Sequence, residues 1–283
     1  MSEEYRFITS AQGIKIYFRQ KLPTQPKAIV IVSHGYAEHS GFYIQLMEFL
    51  VSKGYGVYAL DHRGHGRSEE ERGHLEKFEF FLEDMDAFVD YIQGQHPELP
   101  LYLFGHSMGG LISFSYGILH PEKIRGQIFS GAALGRPEGT EWIPNWTFKW
   151  IKRFLNRYKV YPVLSRRGTR NMEIRKYSGG DPLVLKYATA GFFSEFVGRG
   201  VQFAQENAAR FSLPCLFLHG TEDRIIPHKF SSDIFKKISS EDKELKFYEG
   251  LYHELVQEPE REEVMKDILA WLDERVGYNI DKG

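Results

Sequence analysis

Short apolar runs punctuate the chain at 28–33 (AIVIVS), 55–60 (YGVYAL), 101–105 (LYLFG), 125–131 (RGQIFSG), 214–220 (PCLFLHG) and 245–250 (LKFYEG). Runs of this length, bounded by glycine or polar residues, predict strands buried on both faces. Between most of them the apolar spacing becomes helical, over 42–53, 80–94, 108–120, 229–238 and 259–276, the last opened by Pro259, which a first turn tolerates. Such alternation predicts an α/β fold whose mostly parallel sheet has helices on both faces. The first segment, YRFITSAQGIKIYFRQ, instead pairs two stretches about Gln12-Gly13 and predicts a hairpin leading into the sheet. One interval breaks the rhythm. Roughly 80 residues separate the strands at 125–131 and 214–220, where a connection usually takes about 2–6 residues. Residues 134–210 are therefore expected to form a mainly helical cap, or lid, over the C-terminal edge of the sheet, leaving 1–133 and 211–283 as the core domain.

The run at 101–105 ends in GHSMGG, a serine hemmed in by glycines between a predicted strand and a predicted helix. In that setting G-x-S-x-G forces the serine into a sparsely populated backbone conformation, lifting its hydroxyl from the sheet at a helix N-terminus. A serine hydroxyl is a weak nucleophile at neutral pH, so a base is needed, and an acid to hold that base. His253, in EGLYHEL after the last predicted strand, is the expected base. Asp223, in LHGTEDRIIP one strand earlier, is favoured as the acid over its neighbour Glu222, and the chain order serine, acid, histidine supports this set. The oxyanion formed when Ser107 attacks needs two backbone donors. Met108, next to the serine, and Tyr36, in HGYAEHS after the first buried strand, are the expected ones.

Composition narrows the remaining classes. With 42% hydrophobic and 26% charged residues the chain is a globular one, and its net charge of −2 gives no general attraction to nucleic acid. No run approaches the roughly 20 apolar residues of a spanning helix, and no basic-then-apolar leader opens the sequence. With its single Cys215 in an apolar run, a reducing, cytoplasmic setting is expected. His34 and His39 lack the partners of a metal site, so no metal and no cofactor are expected. The loop DHRGHGRSEEERGH is expected to be a polar loop with a solvated or structural role, with Asp61 and Arg63 paired to fix the strand end. Charge is segregated: residues 136–176 hold eleven Lys and Arg against three Glu, a local net of +8. Trp142, Trp146, Trp150, Phe154 and Tyr158 recur there at every fourth position. On a helix they form one stripe, which either packs onto the core and acyl tunnel or rests on an anionic membrane as a peripheral contact. Either reading sets Trp146 and Trp150 near an acyl chain.

Taken in order, SHGYAEHSG, DHRGHGRSEEER, GHSMGG, GGDPL, LHGTEDRIIP and KFYEGLYHEL resemble the monoacylglycerol lipase and lysophospholipase branch of the α/β-hydrolases. The resemblance spans about residues 13–276 and is weakest in the cap. It implies an α/β-hydrolase fold and cofactor-free cleavage of a fatty acyl ester from a glycerol-like head group. Ser107, Asp223 and His253 fall on the family's triad, and Tyr36 and Met108 on its oxyanion hole. Two positions depart: Ala37 stands where relatives usually have glycine, and Phe42 where several have a head-group-binding arginine. Phe42 alone implies broad tolerance of the alcohol, with His106 and Tyr177 as expected compensators. A lipid ester is the expected substrate, with monoacylglycerol lipase activity first. Lysophospholipase or broad carboxylesterase activity is the alternative, and a non-catalytic ligand-binding α/β-hydrolase the alternative of another class. Oligomeric state is not legible in the sequence.

Overall fold

The computed structural model describes residues 6–136, 142–161 and 168–276. Two antiparallel strands, β1 (Arg6–Thr9) and β2 (Lys15–Lys21), form the expected hairpin, which turns at Gly13 with φ of +78°. There follow β3 (Ala28–Ser33), α1 (Ile44–Ser52), β4 (Tyr55–Leu60), α2 (Glu79–Gln95), β5 (Leu101–His106), α3 (Met108–Leu119) and β6 (Gly126–Ser130). The long interval then carries α4 (Asn145–Leu155), β7 (Lys159–Val160), α5 (Met172–Gly180), β8 (Ala188–Thr189), α6 (Ala190–Glu195), a π-helical turn (Phe196–Val201) and α7 (Gln202–Asn207). The chain closes with β9 (Cys215–Gly220), α8 (Lys229–Lys237), β10 (Lys243–Tyr248) and α9 (Arg261–Val276).

Eight strands form one sheet in the order β1-β2-β4-β3-β5-β6-β9-β10, parallel from β4 through β10 and antiparallel at the hairpin end. Alternate residues of the central strands feed two cores. Val30, Val32, Val57, Ala59 and Phe104 pack with Leu46, Met47 and Leu50 of α1 and Ile268 and Leu272 of α9. Ile29, Ile31, Leu103, Phe129 and Phe217 pack with Phe81, Met85 and Phe88 of α2 and Leu111 and Ile112 of α3. Because both faces are covered, these strands read as unbroken apolar runs in the sequence. The edge strand differs: β10 starts at Lys243, two residues before its apolar run, since an edge leaves room for charged side chains.

The polar loop after β4 departs from expectation. Its Asp61, His62, Arg63 and His65 are buried, and Arg63 pairs with Asp84 of α2 through Nε and Nη2, both at 2.7 Å, not with Asp61. Asp61 instead accepts from the Ser40 and Arg67 amides, at 2.7 and 2.8 Å. Once the loop is folded inward, its charges need fixed partners, and a carboxylate on a neighbouring helix reaches Arg63 better than one two residues away. The rings of His62 and His65 lie tilted against His34, with centroids 4.6 and 5.4 Å from it, and burial holds all three pKa values well below 6.5. They are structural, neutral rings. Cys215 is buried too, its thiol pushed up to about 12 by desolvation.

Candidate active site

Ser107 sits between β5 and α3 with φ of +51° and ψ of −114°, a left-handed conformation costly for a side-chain-bearing residue. Its neighbours hold it there. The Ser107 amide donates to Ser130 O at 3.0 Å, and the Ala133 and Leu111 amides donate to Ser107 O at 3.0 and 3.2 Å. Glycine is required on both sides: a Cβ at Gly105 would meet Gly109 O at 2.6 Å, and one at Gly109 would meet Ser33 O at 2.1 Å. The small residues around the serine thus permit the close strand–helix approach on which the elbow depends.

His253 reaches Asp223 from the loop after β10, with Nδ1 2.6 Å from Oδ2. Asp223 follows β9, where its Oδ1 accepts from the Ile225 and Ile226 amides at 2.8 and 2.9 Å. A second histidine, His219 of β9, brings Nε2 within 3.0 Å of Asp223 Oδ2 and 2.9 Å of Ile226 O. Both of those partners are acceptors, so His219 carries its proton on Nε2, and the Ser231 hydroxyl donates to Nδ1 across 2.8 Å. Burial opposes a charge on Asp223, yet His253 and the bonds from both histidines overcome it and hold the carboxyl far below its usual range. For His253 burial likewise opposes the cation, and the Asp223 charge and hydrogen bond outweigh it, raising the pKa above 6.5. Glu222, the rival acid, lies on the surface near Arg224.

Ser107 and His253 line one cavity of about 380 Å³ with Gly35, Tyr36, Glu38, Phe42 and His106. Among the described residues the amides of Tyr36 and of Met108, the first residue of α3, have no hydrogen-bond acceptor. Unengaged amides beside a serine are what an oxyanion needs. Ala37 also lines the cavity, with φ of +69°, a conformation that glycine adopts without strain; its carbonyl accepts from the Leu185 amide of the insertion at 3.0 Å. His106 directs Nδ1 to Ser130 O at 2.9 Å, and burial lowers its pKa to about 4, so it is neutral at pH 7. From the insertion, Ser178, Asp181, Val184, Leu185 and Lys186 complete the wall.

Other expected contacts fall elsewhere. Tyr177 packs edge-on against Phe42 with centroids 5.3 Å apart but lines a neighbouring pocket with Arg19, His39 and Arg67, not the Ser107 cavity. Trp146 and Trp150 are 65% and 52% exposed and lie outside the cavity. The inward positions of α4 are taken by Phe148, seated on Gly198 of the π-helical turn, and by Lys152, which pairs with Glu195 at 2.7 Å. The tryptophan stripe is thereby turned outward, away from the Ser107 cavity. Glu138, Glu141, Arg166 and Arg167, counted in the basic segment, lie outside the described residues.

Three side chains of the site escaped sequence reasoning. Glu38 stands two positions after Tyr36; its Oε2 accepts from the Gly35 amide at 3.0 Å and the Tyr43 hydroxyl at 2.6 Å. Glu254 directly follows His253 in the cavity wall, and burial with the nearby Glu38 charge pushes its carboxyl up to about 8. His219 is four residues before Asp223. Adjacency to the expected residues was the available signal for the two glutamates, and periodicity carried none.

A mostly parallel eight-stranded sheet bearing a serine on a strained strand-to-helix elbow defines the α/β-hydrolase class. Residues 24–260 match the family described as serine aminopeptidase, S33, and the chain belongs to that family. It is 36% identical over 262 residues to the monoacylglycerol lipase of Mycolicibacterium smegmatis, covering 92% of this chain and 93% of that one. The crystal structure of Paleococcus ferrophilus monoacylglycerol lipase superposes with a TM-score of 0.81 at 32% identity, covering 92% of this chain and 99% of that one. A soluble variant of the Saccharomyces cerevisiae monoglyceride lipase, solved with a substrate analogue, superposes with a TM-score of 0.85 at 25% identity, covering 97% and 95% of the two chains.

Proposed function

We infer that the protein is a serine carboxylic-ester hydrolase acting on single-chain acyl lipids, with a monoacylglycerol as its preferred substrate. The observation that carries this reading is the Asp223–His253 hydrogen bond of 2.6 Å opening into the same cavity as the strained Ser107. With Nδ1–H held by Asp223, His253 Nε2 is the acceptor for the Ser107 proton as Oγ attacks the ester carbonyl. The carbonyl oxygen gains a negative charge facing the Tyr36 and Met108 amides. As the tetrahedral intermediate collapses, His253 gives its proton to the departing alcohol and the acyl group stays on Ser107. His253 then takes a proton from water, whose oxygen attacks the acyl-enzyme and releases the fatty acid. The names of the relatives support a lipid substrate, and the wall favours an uncharged head group: it holds the carboxylates Glu38 and Asp181 against the cation Lys186.

The test is kcat/KM for a long-chain 1-monoacylglycerol, the matching lysophospholipid and the matching ethyl ester. The monoacylglycerol should exceed the lysophospholipid at least tenfold, the equivalent of about 1.4 kcal/mol of repulsion between the phosphodiester and the carboxyl-lined wall. A preference for the lysophospholipid would replace this reading with its phospholipase alternative, and the absence of hydrolysis of all three would leave a ligand-binding protein.

We further propose that α4 rests on lipid. Trp142, Trp146, Trp150, Phe154 and Tyr158 are 52% to 78% exposed, an apolar stripe that water alone would not favour. Lys149 and Arg153 stand exposed beside it, while Arg157 pairs with Glu71. Among the described residues no helix is long and apolar enough to cross a membrane, so the contact is peripheral. Reversing Lys149 and Arg153 to Glu should weaken binding to vesicles containing anionic lipid by about fivefold per charge removed, and added salt should have a similar effect. Equal binding by both proteins would remove the membrane role.

A further inference from the structure

Phe42, in the cavity wall, offers no hydrogen bond to a substrate. The wall also holds three carboxyls, and two of the three are engaged. Glu38 holds the Gly35 amide and the Tyr43 hydroxyl, and Asp181 accepts from His39 Nε2 at 3.0 Å and the Leu183 amide at 2.7 Å. Glu254 differs. Its backbone amide donates to Gly168 O at 2.8 Å, and its carboxyl fills the space that the missing side chain of Gly168 leaves. Among the described residues that carboxyl makes no hydrogen bond, and it lines the cavity.

Its position has chemical meaning. In the ester-hydrolase reading, His253 must protonate the oxygen of the departing alcohol, and Glu254 lines the same cavity as His253. A hydroxyl on the next carbon of that alcohol loses water on entry, and leaving it unpaired costs about 1–3 kcal/mol. We propose that Glu254 hydrogen-bonds a free hydroxyl of the alcohol half, and so selects esters of polyols over esters of simple alkanols. The inference rests on the ester-hydrolase reading. The titratable and charged groups that act electrostatically on Glu254 are Glu38, Tyr43, His253, Glu258 and Arg175. Burial first, and then the charge of Glu38, push the Glu254 carboxyl up so that it keeps its proton at neutral pH, and a carboxylic acid offers both a donor and an acceptor, matching the two needs of a hydroxyl. Sequence alone implied a loose head-group site because it considered Phe42 without this neighbour.

The experiment compares kcat/KM for a 1-monoacylglycerol with that for the ethyl ester of the same acid, in the unmodified protein, Glu254→Leu and Glu254→Gln. The unmodified ratio should be well above ten. Leucine, which fills the volume and offers no hydrogen bond, should lower the ratio about tenfold, equivalent to about 1.4 kcal/mol. Glutamine keeps a donor and an acceptor and should hold the ratio within about threefold. An unchanged ratio in Glu254→Leu, whatever happens to the absolute rates, overturns the proposal, as does an unmodified ratio near one. If the unmodified protein hydrolyses neither ester, the failure belongs to the ester-hydrolase reading.

Discussion

Ser107→Ala should lower kcat on a short-chain ester by at least 10³-fold, with little change in folding. The size of the loss follows from the chemistry: without Oγ no acyl-enzyme forms, and only the oxyanion donors and binding remain to assist direct attack by water. Folding should survive because the strain lies in the backbone, where Ser107 N and O are held by Ser130, Ala133 and Leu111. Alanine relieves none of these bonds and removes one oxygen atom. Activity within tenfold of the unmodified protein would move the nucleophile elsewhere.

Asp223→Asn should reduce kcat/KM by on the order of 10³- to 10⁴-fold, through the wrong proton on His253. Asp223 Oδ2 now accepts from His253 Nδ1 at 2.6 Å and from His219 Nε2 at 3.0 Å, which leaves His253 Nε2 as an acceptor. An amide NH₂ at that position donates to Nδ1 and puts the ring proton on Nε2, where it blocks the transfer from Ser107. A second consequence concerns pH. His253 acts only when neutral, and Asp223 raises its pKa, so in the unmodified protein kcat/KM should fall with decreasing pH at a midpoint above 6.5. Any residual activity of the asparagine variant should have its midpoint lower, since burial alone depresses a histidine. A midpoint at or below 6.5 in the unmodified protein would contradict the electrostatic assignment.

Much of the fold was legible because its central strands are buried on both faces. Val30, Val32, Ile29 and Ile31 face opposite cores, so β3 reads as an unbroken apolar run, and β4, β5 and β9 behave alike. Ser107 was legible for a different reason: Gly105 and Gly109 are demanded by backbone contacts that no larger residue allows. Tertiary partners were not legible. Arg63 finds Asp84 twenty-one positions away, and no local spacing marks that pair. The stripe on α4 gave its period but not its direction, because direction depends on Phe148 meeting Gly198 and Lys152 meeting Glu195. Glu254 was hidden by its own type, since a glutamate beside a loop histidine reads as surface until a cavity is found around it.

Mass spectrometry of the protein after reaction with a fluorophosphonate tests the central claim most directly, because the probe forms a stable bond only with an activated serine held beside an oxyanion site. One adduct per chain, mapped to the peptide that contains Ser107 and absent from Ser107→Ala, is the predicted result. An unlabelled protein, or an adduct that persists at another residue in Ser107→Ala, would contradict the account.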